Sequence, residues 1–344
     1  MIKIDRSYYL KPDKILLGHG SGGILMHNLI QDLFLKYLKS PILRELPDAA
    51  TLKLNKTKLA FTTDSYVVKP LFFPGGDIGK LAIFGTINDL VMVGAIPRYI
   101  ACGMIIEEGF TYQTLEKVIR SLAYASYKTK IEIVTGDVKV VEKGSCDGIF
   151  INTSGIGEIL ENIKLSMNKI RAGDRVIVTG SLGEHGIAVL SVRGELDFDF
   201  GIKSDCASLA SLLLPILSQY KGIKFMRDPT RGGLATTLNE IIQVTGLGII
   251  LEESNIPISA KVKTACELLG LDPLYIANEG KAVLVVSENQ AKAVCNKLNR
   301  QILGIKARII GEVVRQPNRV CLNTIVGGMR VIDMLTSDPL PRIC

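Results

Sequence analysis

The sequence predicts a mixed α/β fold of the α+β class, organised as two domains and a flexible C-terminal tail. With 344 residues, the chain is longer than the about 250 to 300 residues at which a single hydrophobic core usually stops growing. Strand-like and helix-like patterns alternate on both sides of a polar stretch, ENIKLSMNKIRAGD. We therefore predict a lead with a glycine loop, a first domain, a second domain and a tail, at 1–40, 41–160, 161–335 and 336–344.

In the first domain, helix and strand patterns follow the glycine segment LLGHGSGG. ILMHNLIQDLFLKYL has helical spacing, and LAFTTDSYVV is rich in the β-branched and aromatic residues that favour strands. LAIFGTINDLVMVGA is predicted to begin as a strand and to end as a helix. YIACGMIIEE is a predicted strand and TYQTLEKVIRSLAYASYKT a predicted amphipathic helix, followed by two strands, IEIVTGDVKVV and GIFINTSGIGEI.

The second domain opens with RVIVTGSLGEHGIAVLSVRG, which predicts a strand, a glycine loop and a helix. FMRDPTRGGLATTLNEIIQVTG predicts a loop and a helix, whereas AVLVVS and ARIIGEVV predict strands. Strands and helices in both halves therefore favour two α/β units of similar construction.

Composition narrows the class of protein. Hydrophobic residues make up 47% and charged residues 22%, as expected for a well-packed globular protein. No apolar stretch is long enough to cross a bilayer, and the start has no secretory signal pattern, so we expect a cytoplasmic protein without membrane contact. Seven scattered cysteines and three histidines argue against a disulfide framework and a zinc or iron site. The net charge of +7 is not gathered into a basic patch, so nucleic acid is not expected as a partner.

Four aspartates stand where strand-like segments give way to turns. They are Asp64, Asp89, Asp137 and Asp228. Each also has a local explanation, such as a turn residue or, for Asp89, a helix N-cap. Carboxylates that share a buried site repel one another unless cations lie between them, and Mg²⁺ commonly bridges carboxylates to nucleotide phosphates. We therefore predict that the four aspartates bind Mg²⁺ together with nucleotide phosphates.

Three glycine loops, GHGSGG, TGSLGEHG and TRGGLA, precede predicted helices. Backbone N–H groups at a helix N-terminus bind phosphate, although helix capping is the simpler role of such glycines. The residues of these loops that we predict to contact the nucleotide phosphates are Gly18, His19, Gly20, Gly22, Gly23, Gly232 and Gly233. His185 is a further candidate phosphate contact, whereas His27 fits a helical pattern and is predicted to be structural.

Three residues are candidates for catalysis. Lys139 would point to the same side of a strand as Asp137 and could neutralise a transferring phosphoryl group. Glu279 precedes an apolar strand and could serve as a base, or could be a solvated turn residue. Cys344 ends the tail TSDPLPRIC, in which Pro339 and Pro341 stiffen the backbone, so this arm could present a thiol to a cleft.

These motifs resemble a known family. LGHGSGG, FTTDSYVVKPLFFPGGDIGKLAIFGTINDLVMVGAIP, TGDVKVVEKG, MRDPTRGGLATTLNE, NEGK and the terminal PRIC resemble, in this order, the HypE carbamoyl dehydratases of nickel–iron hydrogenase maturation. The PRIC ending distinguishes that family from the related aminoimidazole ribonucleotide synthetases and selenophosphate synthetases. Val138 stands where the family pattern has threonine.

The resemblance implies two PurM-like units, with the first domain forming a barrel-like interface in a homodimer and the second an α/β sandwich. It also implies that Cys344 receives a carbamoyl group from the carbamoyltransferase HypF. ATP, with Mg²⁺, then phosphorylates the carbamoyl oxygen, and loss of phosphate and a proton leaves a thiocyanate. The cyanide group passes to iron held by the HypC–HypD complex. Lys139 and Glu279 keep their candidate roles.

Two alternatives remain from the sequence. The chain could be an ATP-dependent synthetase of the same superfamily that acts on a free small molecule, with Cys344 incidental. It could also be a carrier whose terminal cysteine is only an attachment point. A carrier would not need the carboxylates and glycine loops.

Overall fold

The computed structural model describes residues 23–35, 44, 46, 48–54, 57–193, 200–337, 340 and 342–344. Within these ranges the chain forms two large sheets, one of five strands between residues 50 and 159 and one of seven strands between residues 175 and 331. A two-stranded ribbon, formed by Phe72–Phe73 and Gly76–Asp77, precedes the first long helix. The mixed α/β architecture predicted from the alternating patterns is confirmed.

The first sheet has the strand order β1-β2-β7-β5-β6, with a parallel β5–β6 pair among antiparallel neighbours. Its strands and the ribbon are β1 (Ala50–Leu54), β2 (Thr57–Tyr66), β3 (Phe72–Phe73), β4 (Gly76–Asp77), β5 (Ala95–Glu107), β6 (Glu132–Val141) and β7 (Ile149–Ile159). The described helices of this half are α1 (Ile24–Leu29), continued by a π-helical turn (Ile30–Phe34), α2 (Ile78–Met92) and α3 (Tyr112–Thr129).

Helix α2 corrects one prediction, because the strand expected at the start of LAIFGTINDLVMVGA is helical throughout. The helix packs against β2, β5, β7 and α3, and nearly all of its residues are buried. Apolar side chains therefore surround it, and the sequence lacks the one-sided periodicity that distinguishes an amphipathic helix. Asn88 links α2 to the second half, since its side chain donates to the Ala207 carbonyl at 3.0 Å and accepts from the Leu209 N–H at 2.8 Å.

The second sheet has the order β14-β13-β10-β12-β8-β11-β9. Its strands are β8 (Arg175–Val178), β9 (Ile223–Arg227), β10 (Gly248–Glu252), β11 (Val283–Val286), β12 (Arg308–Val314), β13 (Val320–Asn323) and β14 (Met329–Val331). The helices around it are α4 (Glu184–Leu190), α5 (Ala210–Gln219), α6 (Gly233–Thr245), α7 (Ala260–Leu269) and α8 (Glu288–Asn299). One hydrophobic cluster joins α2 and β5 of the first half to α4, α5 and β11 of the second.

The outer face and the β6 edge of the first sheet are apolar yet exposed. Every residue of β6 except the last is exposed, and Val140 exposes 66% of its surface. Other large exposed apolar side chains of this sheet are Phe61, Tyr99, Ile105, Ile133, Val134, Val138 and Ile156. In the part of the chain that the structure describes, no helix is long and apolar enough to cross a membrane.

Candidate active site

A cavity of about 530 Å³ lies between the two halves. The first half contributes the end of β2 and the side of α2, and the second contributes the loop after β9 and the start of α6. Its polar lining residues are His27, Asp48, Thr62, Thr63, Asp64, Ser65, Tyr66, Asp89, Arg227, Asp228, Thr230, Arg231, Thr236, Thr237, Glu240, Glu279 and Cys344. Both halves therefore build one polar site.

Three of the four predicted aspartates meet at this cavity. Asp64 lies near the end of β2, Asp228 follows β9 directly, and Asp89 lies in the last turns of α2. Asp89 is thus a helical side chain that faces the site, and neither the predicted strand end nor an N-cap is correct for it. Thr62 donates to Asp89 at 2.7 Å, and the Tyr66 hydroxyl donates to Asp64 at 3.1 Å, which fixes both carboxylates.

The buried aspartates of the cavity hold their protons more tightly than exposed carboxyls do, whereas at Glu240 burial is outweighed by Arg227 and His27, which lower the pKa. Burial, and then the nearby charges of Asp48 and Asp64, raise the pKa of Asp228 to about 8. Burial followed by Asp64 raises the pKa of Asp89 well above its usual range, and burial also raises the pKa values of Asp64 and Asp48. These carboxyls cannot all ionise near neutral pH unless a cation enters the cavity.

Two arginines of the RDPTR segment supply positive charge. The Nε atom of Arg227 lies 2.9 Å from an Asp48 oxygen, and its Nη1 atom pairs with Glu240. Burial alone would lower the pKa of Arg227, but Asp48 and Glu240 outweigh burial and raise it. The negative charge of Cys344 is the largest cause of a raised pKa at Arg231, ahead of the opposing effect of burial. Arg231 therefore links the tail to the carboxylates.

Helix α6 begins at the cavity. Gly232 and Gly233 both have positive φ values, +71° and +58°, which a side chain rarely adopts. A Cβ at Gly233 would also lie 2.7 Å from the carbonyl oxygens of Leu274 and Ile276. The first turn of α6 adds Thr236, whose buried hydroxyl has no hydrogen-bond partner. These features favour an anionic ligand at the helix N-terminus.

Glu279 is a buried carboxyl that points into the cavity. Among the residues that the structure describes, its Oε1 atom has no hydrogen-bond partner. Burial, then Asp228, raises the pKa of Glu279 well above its usual range. This environment suits a side chain that exchanges protons with a bound group.

The C-terminal tail is inserted into the molecule. The Val67 N–H donates to the Cys344 oxygen at 3.1 Å, and the Lys69 N–H donates to the Arg342 oxygen at 3.2 Å, as in an antiparallel ladder. The Arg342 side chain donates to the Val67 carbonyl at 3.0 Å and also pairs with Asp147. Cys344 thereby reaches the cavity wall. Pro339 and Pro341 lie outside the described residues, and the flexibility of the tail stays a prediction.

Other predicted site residues lie elsewhere in this chain. Asp137 and Lys139 are on the exposed strand β6, where their side chains pair at 3.2 Å and expose 70% and 72% of their surface. Gly23 caps α1 against Leu335 and Thr336 and does not line the cavity. Gly18, His19, Gly20 and Gly22 lie outside the described residues.

The structure places the two histidines differently with respect to the cavity. His185 is buried outside the cavity, and its ring nitrogens contact the Ser204 hydroxyl at 2.8 Å and the Ile343 carbonyl at 3.0 Å, so its position does not support the predicted phosphate contact. His27 lies in helix α1, as its spacing predicts, and also lines the cavity, with Nε2 lying 3.3 Å from Glu240. Neither sequence pattern reports which face meets the cavity.

Several site residues were missed from the sequence. They are Asp48, Tyr66, Arg227, Arg231 and Glu240. The two arginines that flank Asp228 in RDPTR were an available signal, because closely spaced cations beside a carboxylate are typical of an anion site. Asp48 and Glu240 carried no such signal, since only the tertiary fold brings them to Arg227.

The donor set of the cavity fits a magnesium ion that is also bound by phosphate. Within the described residues, no three His, Cys, Asp or Glu side chains are arranged to hold a metal ion unaided. The carboxyls with raised pKa values and the unpartnered Glu279 oxygen nevertheless favour a bound cation. Mg²⁺ takes few protein carboxylates and completes its octahedron with water and phosphate oxygens, so Asp64, Asp89 and Asp228 are suitable ligands.

Comparison with known families defines the class of protein. Residues 47–159 match the N-terminal domain of AIR synthase related proteins, and residues 171–321 match the C-terminal domain of the same proteins. The chain therefore belongs to the AIR synthase related proteins.

Individual relatives define the family more narrowly. The chain is 46% identical over 341 residues to the carbamoyl dehydratase HypE of Cupriavidus necator. The aligned region covers 98% of this chain and 97% of the relative. It is 46% identical over 337 residues to the HypE of Escherichia coli K12, covering 96% of this chain and 100% of the relative. The chain therefore belongs to the HypE family of carbamoyl dehydratases, and the resemblance predicted from the motifs is confirmed.

Solved structures agree with this assignment. The chain superimposes on a HypE–HypF complex with a TM-score of 0.85 and 45% identity, covering 89% of this chain and 99% of that one. It matches a HypE–ATP complex with a TM-score of 0.80 and 46% identity, covering 96% of this chain and 100% of that one. The predicted two-domain, PurM-like fold is confirmed by these matches.

Proposed function

We propose that this protein uses ATP to dehydrate an S-carbamoyl group on Cys344 to a thiocyanate. One observation carries the proposal: Cys344 lies in the same cavity as Asp64, Asp89, Asp228 and Glu279. A thiol on an inserted tail is thus next to the groups that bind and activate a phosphorylated intermediate. The free-substrate alternative gives this inserted cysteine no role.

The reaction needs a better leaving group than oxygen of an amide. The carbamoyl oxygen attacks the γ-phosphorus of ATP, ADP leaves, and one N–H proton is lost to give an imidate phosphate on sulfur. The second N–H proton then leaves, the C–O bond breaks with release of phosphate, and the C–N bond becomes a nitrile. ATP is thereby converted to ADP and phosphate, and the carbamoyl group loses the elements of one water.

Glu279 is the proton acceptor in this proposal. Its carboxyl is buried, has an unpartnered oxygen and lines the cavity that Cys344 enters. Burial raises the pKa of Glu279, so its carboxyl can accept a proton once positive charge in the site favours the ionised form. Removal of water from the closed cavity would protect the imidate phosphate from hydrolysis.

The triphosphate would lie between the carboxylates and the start of α6. Asp64, Asp89 and Asp228 would hold Mg²⁺, which would supply positive charge to neutralise the phosphates. Gly232, Gly233 and Arg231 would contact the phosphates from the other side. Gly18, His19, Gly20 and Gly22, which lie outside the described residues, stay proposed contacts of ATP.

The active form is a homodimer that pairs the first domains. The exposed apolar residues of β6 support this arrangement, because Val134, Val138 and Val140 would leave water on pairing. Asp137 and Lys139 lie on that strand, and we propose that they reach the cavity of the partner subunit, where Lys139 would neutralise the transferring phosphoryl group. Mixed dimers of Lys139→Ala and Glu279→Gln should then regain one working site.

The partners follow from the same chemistry. The relative solved with HypF supports a carbamoyltransferase of that type as the donor to Cys344. A protein thiocyanate needs an acceptor for cyanide, and the iron of a HypC–HypD complex is proposed. We propose that carbamoylation, dehydration and cyanide transfer all take place in the cytoplasm.

Intact mass measurement tests the proposal. The protein is incubated with the carbamoyltransferase, carbamoyl phosphate and ATP–Mg, beside a Cys344→Ala control. We expect a carbamoyl adduct that loses one water only when Cys344 is present. Modification of the control to the same extent, or an adduct that never loses water, would refute the dehydratase assignment.

A further inference from the structure

A second buried carboxylate, Asp205, holds the backbone of Glu279. The Glu279 N–H donates to Asp205 Oδ1 at 3.1 Å, and the Gly280 N–H donates to Oδ2 at 3.2 Å. The Asp205 side chain has no exposed surface. Two consecutive N–H groups therefore bind the two oxygens of one carboxylate, which fixes the peptide plane from which the Glu279 side chain extends.

Lys281 neutralises this carboxylate. Its Nζ atom lies 3.2 Å from Asp205 Oδ2 and 3.9 Å from Glu184 Oε2, and its side chain is largely buried. The stem passes so close to Gly180 that a Cβ there would lie 2.9 Å from Lys281 Cε. A buried carboxylate without such a cation would be strongly destabilising, so Asp205 and Lys281 act as a unit.

The peptide of Glu279 has little freedom on its other sides. The Asn88 amide donates to the Glu279 carbonyl at 3.4 Å, and a methyl group at Gly280 would overlap the Asp205 carbonyl oxygen. By contrast, Glu279 Oε1 has no hydrogen-bond partner in the described part of the chain. The backbone is thus fixed while the carboxyl remains available to a ligand.

The residue before Asp205 holds the tail through His185. Ser204 contacts His185 Nδ1 at 2.8 Å, and His185 Nε2 contacts the Ile343 carbonyl at 3.0 Å. The Cys206 N–H donates to the Ser204 hydroxyl at 3.0 Å, which fixes this segment. Neighbouring residues in the sequence therefore hold the proposed base on one side and the residue before Cys344 on the other.

We infer that Asp205, neutralised by Lys281, is a positioning residue that sets Glu279 at the distance from Cys344 that proton transfer requires. This inference rests on the proposed role of Glu279. Asp205 does not line the cavity, and its hydrogen bonds reach Glu279 through the 279–280 peptide. Its loss should therefore slow the chemical step and leave ATP affinity nearly unchanged.

The matched control is another buried aspartate of the same construction. Asp174 accepts from the Arg171 N–H at 2.7 Å and pairs with Lys224 at 2.6 Å, but it lies outside the cavity. Asp174→Asn and Asp205→Asn each remove one buried charge beside a lysine. A general loss of stability would affect both variants, whereas loss of positioning would affect only Asp205→Asn.

The experiment measures single-turnover dehydration of carbamoylated protein at saturating ATP–Mg, together with the KM for ATP. For Asp205→Asn we expect the rate constant to fall at least about 10-fold with KM within about twofold, because small misplacement of a reacting group is costly. Asp174→Asn should react like the unchanged protein. A rate constant for Asp205→Asn within twofold of the unchanged protein would overturn the inference.

A second pair of variants decides the matter if Asp205→Asn does not fold. Lys281→Gln should slow dehydration and Lys281→Arg should largely restore it, because only the latter keeps the charge beside Asp205. Equal rates for Lys281→Gln and the unchanged protein would overturn the inference. If the unchanged protein does not dehydrate, or Glu279→Gln dehydrates normally, the proposed function or the role of Glu279 fails instead.

Discussion

His185 Nε2 lies 3.0 Å from the carbonyl oxygen of Ile343, one residue before Cys344. A carbonyl oxygen only accepts, so Nε2 carries the hydrogen and Nδ1 accepts from the Ser204 hydroxyl. Burial lowers the pKa of His185, which keeps the ring neutral in this arrangement. A buried imidazole from the second domain therefore holds the tail with its cysteine in the cavity.

Replacing His185 should release the tail. His185→Ala leaves the buried Ile343 carbonyl without its donor, which costs about 1 to 3 kcal/mol. We expect single-turnover dehydration to slow by about 10-fold, while carbamoylation of Cys344 by the carbamoyltransferase is not slowed. Alkylation of Cys344 by a maleimide, followed by peptide mass analysis, should become faster. An unchanged alkylation rate would show that His185 does not anchor the tail.

The ion pair between Arg342 and Asp147 is a weaker anchor. It is partly exposed, and Lys69 shares the same carboxylate at 3.0 Å. Pairs of this kind contribute up to about 1 kcal/mol, so Asp147→Asn should raise the alkylation rate of Cys344 by no more than about fivefold. Added salt should raise the rate in the unchanged protein and have less effect on Asp147→Asn. A salt effect equal in both would exclude this pair as an anchor.

Glu279→Gln tests the proposed base. The amide fills the same space but cannot take a proton, and general-base catalysis contributes about 10²- to 10⁴-fold to a rate. We expect dehydration to fall by at least about 100-fold with carbamoylation intact. The variant should accumulate carbamoylated protein in the presence of ATP–Mg. Dehydration at more than a tenth of the normal rate would assign the base elsewhere.

The carboxyl cluster predicts the pH dependence of stability. The pKa of Asp228 is about 8 in the fold against 3.8 for the ordinary group, so the folded state binds its proton more tightly than the unfolded chain does. The proton on Asp228 therefore stabilises the folded state at low pH, and this stabilisation is lost as the pH rises between the two pKa values. The melting temperature of nucleotide-free protein should therefore fall between roughly pH 5 and pH 8, because folding is linked to proton binding.

Two comparisons sharpen this prediction. Asp228→Asn should flatten the pH dependence, because its side chain has no proton to lose. ATP–Mg should raise the melting temperature more at pH 8 than at pH 5, since a cation favours the ionised carboxylates. Equal stabilisation at both pH values would contradict a cation site among these carboxyls.

Local sequence identified the parts of the site that follow strands and turns. Asp228 and Gly232 were predicted because a loop between a strand and a helix has a recognisable composition. Asp89 was predicted as a site residue for a wrong local reason, because a helix buried on all sides shows no apolar periodicity.

The sequence does not show which residues from separate parts of the chain become neighbours in the fold. Asp48 reaches Arg227 only after the two domains pack, and Glu240 reaches it only after the second domain has folded, which no spacing in the sequence reports. Asp137 and Lys139 have the predicted strand geometry but lie on an exposed strand. A sequence pattern gives the side of a strand to which a residue points, and it does not give the neighbour that covers that side.

Infrared spectroscopy of the protein after a single turnover would detect the proposed thiocyanate on Cys344 itself. The protein is carbamoylated with ¹³C-labelled carbamoyl phosphate, mixed with ATP–Mg and compared with unlabelled and Cys344→Ala samples. We predict a nitrile band that appears only after ATP is added, shifts with the label and is absent without Cys344. If ATP is consumed and no label-sensitive nitrile band forms, Cys344 does not carry a thiocyanate, and the proposed dehydration on this residue is refuted.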